Sequence, residues 1–237
     1  MKVALITGSE SQLGKVYINR LLELNYRIIG FDAFPETENS RIEYFRVDIT
    51  SQREISSVIE KIQGNIDVLV NNAGVSVFSS FEERTEEELD FVMGANLKGT
   101  ILMIQAVFNR FFKPQKKGCI VNIGSIYGVV AGDMRIYNEE DRRTPEIYGA
   151  TKAAVINLTK YFAAYMAPYN VRVNCISPGG IFNHQDSEFV SKYSLKVPMG
   201  RMGKETELLS TLEYLVSDES CYVTGQNIVV DGGLTVW

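Results

Sequence analysis

Val3-Ala4-Leu5-Ile6-Thr7-Gly8-Ser9-Glu10-Ser11-Gln12-Leu13-Gly14 sets a short apolar run against a glycine-containing turn and the start of an amphipathic stretch. The run is too short for a helix and reads as a strand, whereas residues 13 to about 24 carry apolar side chains at helical spacing. The turn between them puts free backbone N–H groups at the positive end of a helix, a place that can hold a pyrophosphate with no charged side chain. Gly8 permits the tight turn, and Gly14 lets helix approach strand. Taken alone, two glycines fit an ordinary strand-to-helix connection equally well, so the sequence downstream decides.

Downstream, further apolar runs at 27–31, 43–46, 68–71, 119–123, 172–176 and 227–230 are separated mostly by longer amphipathic stretches. That alternation is the signature of β-α-β units building a parallel sheet buried on both faces. It predicts an α/β fold: a single doubly wound Rossmann domain, residues 1–237, with a seven-stranded parallel sheet. Ser51 with Glu54 and Thr85 with Glu88 have capping-box spacing and mark helix starts. No Pro/Ser-rich linker, repeat or low-complexity tract divides the chain.

Composition narrows the function classes. With 45% hydrophobic and 22% charged residues among 237, the chain is globular, and no segment reaches the roughly eighteen uninterrupted apolar residues of a bilayer span. A net charge of −5 argues against a large nucleic-acid surface, and Lys116-Lys117 and Arg142-Arg143 are too short to make one. Cys119, Cys175 and Cys221 have no CxxC spacing, and two lie in apolar runs, as small buried hydrophobes would. The strand begins so close to Met1 that no leader peptide is expected, and the predicted compartment is the cytoplasm. The single histidine, His184, has no Cys or carboxylate partners at ligand spacing, so no metal site is expected.

Asp32 closes the second predicted strand, eighteen residues after Gly14, where a carboxylate can accept hydrogen bonds from ribose hydroxyls and repels a 2′-phosphate. The predicted cofactor is therefore NAD in preference to NADP. Asp48, with Ile49 beside it, closes the third strand; Asn71-Asn72-Ala73-Gly74 closes the fourth with small or amide residues. All fall at the carboxyl ends of the strands, where a doubly wound sheet binds its ligand.

In Tyr148-Gly149-Ala150-Thr151-Lys152 a phenol and an ammonium four residues apart share one helical face. A cation there favours the phenolate and suits tyrosine to proton transfer. A lone YxxxK also fits an amphipathic helix with a solvated lysine. Together with the glycine turn, Asn71-Asn72-Ala73-Gly74, Ser125 and Pro178-Gly179, it resembles the short-chain dehydrogenase/reductase family over essentially the whole chain. The resemblance implies a catalytic group of Asn96 (proton relay through a water), Ser125 (hydrogen bond to the substrate oxygen), Tyr148 (general acid/base) and Lys152 (nicotinamide ribose and tuning of Tyr148). It implies a cofactor site of Gly8, Ser11, Gln12 and Leu13 in the turn, Asp32, Asp48 and Ile49 at the adenosine half, Asn72, Ala73 and Gly74 along the cofactor, and Pro178, Gly179 and Ile181 around the nicotinamide. The implied reaction is hydride transfer between a nicotinamide and a secondary alcohol or ketone.

The chain departs from the family pattern in three places. Gln12 stands where the glycine turn usually has a third small residue, and Asn183 where a threonine meets the carboxamide. Ser125 and Tyr148 are twenty-three residues apart, roughly ten more than is usual. The extra segment, 133–144, is polar and falls between two catalytic residues, so Arg135, Tyr137, Arg142 and Arg143 are candidates to grip an anionic or hydroxylated substrate; a solvated or subunit-contacting loop is the alternative. A second loop, 180–199, is the expected substrate lid. The wording at 177–183 and 197–203 resembles bacterial members linked to surface-sugar and flagellin-glycan biosynthesis, which points to carbohydrate-like substrates.

The apolar helices at 97–112 and 148–166 predict subunit interfaces, and a homotetramer or homodimer is expected, with Trp237 packed on a neighbour. Two rivals remain. One is an NAD-using epimerase or dehydratase; the other is a dinucleotide-sensing protein without turnover.

Overall fold

The computed structural model describes residues 1–34, 41–137 and 143–237. Seven strands form one parallel sheet: β1 (Val3–Thr7), β2 (Arg27–Asp32), β3 (Ile42–Arg46), β4 (Val68–Asn71), β5 (Gly118–Ile123), β6 (Val171–Pro178) and β7 (Asn227–Val230). Their order is β3-β2-β1-β4-β5-β6-β7. The order reverses between β1 and β4, and a crevice opens there at the carboxyl ends of the strands. Every predicted strand is present; β6 runs two residues further than the apolar run indicated, through Ser177 and Pro178.

Side-chain alternation along β1 sorts the core into two layers. Val3 and Leu5 join one cluster with Met103, Ile104 and Phe112, while Ala4 and Ile6 join another with Tyr17, Leu21 and Leu212. The first layer is covered by α2 (Gln52–Ile59), α3 (Glu86–Gln115) and α4 (Glu146–Met166), the second by α1 (Gln12–Glu23) and, after α5 (Ser187–Ser194) in the expected lid segment, by α6 (Leu209–Val216). Truncating a fully buried member such as Leu5 to Ala would cost about 2–5 kcal/mol. By length and composition α3 could cross a bilayer, but half of its apolar window is buried inside the fold, as a core helix requires.

Helix starts follow their caps. At Thr85 the capping box is complete: Oγ1 accepts the Glu88 N–H at 3.3 Å and the Glu88 carboxylate accepts the Thr85 N–H at 3.1 Å. At Ser51 only half forms, because the Glu54 carboxylate takes the Asp48 N–H at 2.9 Å instead. That half-box fixes the β3–α2 turn on which Asp48 and Ile49 sit.

A third, smaller cluster lies outside both layers. Ile126, Ile136, Tyr193, Val197 and Met202 are buried together, with Tyr137, Phe189 and Leu234 packed against them. It joins the segment after β5, the lid and the C-terminal segment.

Candidate active site

The glycine turn is shaped by backbone demands. Gly8 has φ +65°, and a Cβ on Gly14 would lie 2.1 Å from the Gly8 carbonyl, so no side chain fits where α1 meets the turn. Ser11 caps α1 by accepting the Gly14 N–H at 3.0 Å. The β4 loop is stapled to this turn: Asn72 Nδ2 reaches the Thr7 and Gly8 carbonyls and Ser11 Oγ at 2.9–3.0 Å, while Thr7 Oγ1 accepts the N–H groups of Asn72 and Ala73, each at 3.1 Å. Thr7 is thus a site-building residue that the motif reading passed over, although it immediately precedes Gly8.

Asp32 is half-buried and accepts the Glu10 N–H at 3.0 Å on one oxygen and the Phe34 N–H at 3.1 Å on the other. Each oxygen keeps a lone pair for a further donor. Arg46, one strand over and in register with Asp32, places its guanidinium 5.7 Å from the Phe34 ring centroid; sequence separation hid this cation from the search for an arginine next to Asp32. Asp48 is exposed and accepts the Thr50 N–H at 2.8 Å, and Ile49 is buried beside Gly99.

One cavity of about 270 Å³ gathers residues from five separately recognised stretches: Ser11, Gln12 and Leu13; Asn72 and Gly74; Ser125; Tyr148 and Lys152; Pro178, Gly179 and Ile181. Gly8, Asp32, Asp48, Ile49, Ala73 and Asn96 do not line it. The Lys152 ammonium, 5% exposed, lies 5.6 Å from the Tyr148 ring centroid and donates to the Ile123 carbonyl at 2.8 Å. A buried ammonium needs such a partner. A Cβ on Gly74 would meet both Lys152 Nζ at 3.3 Å and Asn96 Oδ1 at 3.4 Å, so the lysine and the asparagine flank the same glycine. Ser125 is buried at the end of β5, and its Oγ accepts the Tyr127 N–H at 3.2 Å.

Asn96 sits in a π-helical turn of α3, Gly94–Gly99, the kind of local widening that marks functional positions in helices. Its amide is fully engaged: Oδ1 accepts the Val75 N–H at 2.8 Å, and Nδ2 donates to the Val75 carbonyl at 3.0 Å and to Thr151 Oγ1 at 3.1 Å. It braces the β4 loop against α4. Thr151, between Tyr148 and Lys152, is a second site-building residue without a motif of its own.

Gln12 spans the cleft, with Nε2 donating to the Phe182 carbonyl at 3.1 Å; its side chain points neither into the turn nor back along α1. The Asn183 N–H donates to Gln185 Oε1 at 2.7 Å. Within the extra segment, Arg135 is bound to Asp133 at 2.7 Å and faces solvent, while the Tyr137 hydroxyl is engaged with Tyr127 and Thr144. The Tyr137 hydroxyl is thus occupied by protein contacts, whereas the Arg135 side chain stays largely exposed beside Asp133. Arg143 lines a separate cavity of about 790 Å³ on another face of α4, and Arg142 lies outside the described residues. Trp237 Nε1 donates to the Lys196 carbonyl of the same chain at 3.1 Å.

Burial pushes the Cys119 and Cys175 thiols up to about 11 and the Tyr193 hydroxyl up to about 12, so all three are neutral at ordinary pH. Among the described residues no three His, Cys, Asp or Glu side chains converge as metal ligands.

A glycine turn at the switch point of a parallel sheet, an acid at the end of β2, and a serine, tyrosine and lysine around one cavity define a dinucleotide-binding oxidoreductase fold and site. Residues 32–235 match the sequence profile described as Enoyl-(Acyl carrier protein) reductase. The chain belongs to the short-chain dehydrogenase/reductase family. It is 34% identical to a 3-oxoacyl-(acyl-carrier-protein) reductase of Thermotoga maritima, over 99% of this chain and 98% of that protein. It is 33% identical to an NAD-dependent glycerol dehydrogenase of Listeria innocua, over 99% and 94%. Among solved structures, a short chain dehydrogenase of Leptospira borgpetersenii with bound NAD+ superposes with a TM-score of 0.93 at 44% identity, over 99% of this chain and 92% of that one. The protein is thus an oxidoreductase of this family that uses a nicotinamide dinucleotide.

Proposed function

We propose that this chain is an NAD-dependent dehydrogenase/reductase that acts on a secondary alcohol or ketone of a small, sugar-like substrate, with Tyr148 as its acid/base. The observation that carries the reading is the single cavity in which the pyrophosphate turn, Ser125, Tyr148 and Lys152 meet. The residues fit a dinucleotide. Gly8 and Gly14 let the turn, the β4 loop and α1 approach more closely than any Cβ would allow, Gly74 lines the cavity, and the Asp32 carboxylate keeps acceptor capacity at the end of β2.

When bound, the nicotinamide supplies the hydride acceptor or donor. The chain's own residues do the rest. In oxidation Tyr148 takes the hydroxyl proton of the substrate, and in reduction it returns that proton to the carbonyl oxygen. Ser125 Oγ holds the same oxygen by a hydrogen bond. Lys152, held by the Ile123 carbonyl, places its ammonium 5.6 Å from the ring centroid of the phenol, on the cavity side where the proton is exchanged. Asn96 takes the proton-relay position and anchors Val75 and Thr151 behind the site. Gly8, Ser11, Gln12 and Leu13 hold the pyrophosphate, Asp48 and Ile49 border the adenosine, Asn72, Ala73 and Gly74 follow the cofactor, and Pro178, Gly179 and Ile181 wall the ring.

NAD is preferred over NADP because a carboxylate at the end of β2, Asp32, would accept from ribose hydroxyls and repel a 2′-phosphate. A homodimer or homotetramer forms through the exposed aromatic residues of α3 and α4, among them Phe91, Tyr161 and Tyr165. The working compartment is the cytoplasm, with no nucleic-acid or membrane partner.

The test is absorbance at 340 nm with purified protein, NAD or NADP, and a panel of glycerol, sugar alcohols, sugars and acetoacetyl-CoA. NAD-linked oxidation of a polyol or sugar is expected. Reduction of acetoacetyl-CoA alone, with NADPH favoured over NADH, would overturn both the substrate class and the cofactor choice.

A further inference from the structure

The segment that lengthens the separation of Ser125 and Tyr148 packs into the third cluster through Ile136. Next to it, Tyr137 makes contacts in three directions. Its hydroxyl lies 3.3 Å from that of Tyr127, two residues beyond Ser125. The same hydroxyl bonds Thr144 Oγ1, four residues before Tyr148. Its ring packs on Phe189 of α5 with centroids 5.5 Å apart. Phe189 in turn meets Tyr193 at 5.9 Å, and the Tyr193 hydroxyl accepts the Gly180 N–H at 2.6 Å, next to the cofactor cavity.

These contacts differ from those of a solvated loop. A hydroxyl shared between two others is fixed in direction, and a ring packed at a tilt on the Phe189 ring holds the plane of the same side chain. Burial, with Tyr137 next in weight, pushes the Tyr127 hydroxyl well above its ordinary range, so this hydroxyl keeps its proton at any ordinary pH. Errors of about 1 Å in such sites cost on the order of a hundredfold in rate. Both groups whose spacing the extra residues threaten to loosen are therefore tied to one tyrosine within those residues.

We propose that Tyr137 is a positioning residue: its hydroxyl ties the strand end carrying Ser125 to the helix start carrying Tyr148, and its ring seats the lid helix, so that the lid and the reacting pair are ordered together. The inference rests on the reading of Ser125 and Tyr148 as the reacting groups.

Hydrogen exchange of the NAD-free protein tests it through Tyr137→Phe, which keeps the ring and removes the hydroxyl, and Tyr137→Ala, which removes both. In Tyr137→Ala, amides of both 187–194 and 149–152 exchange faster. In Tyr137→Phe, 187–194 stays within about twofold of wild type while 149–152 accelerates about fivefold, the effect of one lost neutral hydrogen bond. A merely structural role would move both segments alike. Exchange at 149–152 unchanged in Tyr137→Phe, or at 187–194 unchanged in Tyr137→Ala, would overturn the proposal. Tyr148→Phe in the same series separates the two readings: retained turnover there would remove the reacting pair, while the exchange pattern still decides how Tyr137 acts.

Discussion

The two walls of the cleft are held in different ways. The wall assigned to the cofactor, made by the turns after β1 and β4, is fixed by backbone geometry and short-range staples: the positive φ of Gly8, the Ser11 cap and the Thr7–Asn72 bonds. The wall assigned to substrate, made by residues 126–137, α5 and the C-terminal segment, is fixed by side chains from distant stretches, such as Tyr137 on Phe189, Lys196 paired with Asp133, and Trp237 on the Lys196 carbonyl. A wall built on backbone constraint tolerates little change and serves one ligand class. A wall built on side chains can be re-cut for new substrates without touching the first, which suits a family whose relatives act on partners as unlike as glycerol and an acyl carrier protein.

Changes to the first wall should therefore cost most. Gly14→Ala forces the turn open against the Gly8 carbonyl and is expected to lower NADH affinity by up to about a hundredfold in fluorescence titration; wild-type affinity would break the contrast at its root. Asp32→Ser removes the acid proposed to meet the ribose and leaves Arg46 in register beside it. The ratio of NADH to NADPH affinity should fall by about tenfold to a hundredfold, read in the same titration. An unchanged ratio would move the origin of the preference elsewhere.

On the second wall the effects should be smaller and confined to substrate. Phe189→Ala is expected to raise KM for the turned-over substrate about tenfold with NADH affinity unchanged, measured by steady-state kinetics beside titration. Loss of cofactor binding in that variant would show the walls to be one unit. The smallest effect concerns pH. The Arg135 hydrogen bond first, then that of Lys196, hold the Asp133 carboxyl well below the usual carboxylate range. A depressed carboxylate contributes stability fully above its unfolded value, lost only as pH falls through the folded one. Exchange protection of 187–194, corrected for intrinsic rates, should thus be flat between about pH 5 and 9; a step in that window would assign the lid tie to another group.

The same contrast explains what the sequence made legible. The seven strands, the order of elements and the gathering of Ser11, Asn72, Ser125, Tyr148 and Pro178 follow from periodicity and local motifs, because parallel strands buried on both faces and a glycine turn each leave a short-range signature. Gln12 shows the limit: its unusual size in the turn was plain, but its partner, the Phe182 carbonyl, lies 170 positions away. The same holds for Arg46 beside Asp32, brought there by strand register. Tyr137 and Arg135 were readable only as either ligand-gripping or loop residues; Tyr137 holds the protein's own side chains, and Arg135 pairs with Asp133 while facing solvent. Polar composition marks a loop as functional without distinguishing a residue that binds from one that braces.

The proposed reaction depends on the phenol of Tyr148, and the most direct measurement is the turnover of Tyr148→Phe against wild type, on the panel substrate that wild type converts fastest, with NADH binding titrated alongside. A rate lower by about a hundredfold to ten-thousandfold, the usual contribution of general acid–base catalysis, with NADH affinity within about twofold of wild type, is the predicted result. A variant that still turns over at the wild-type rate would contradict it.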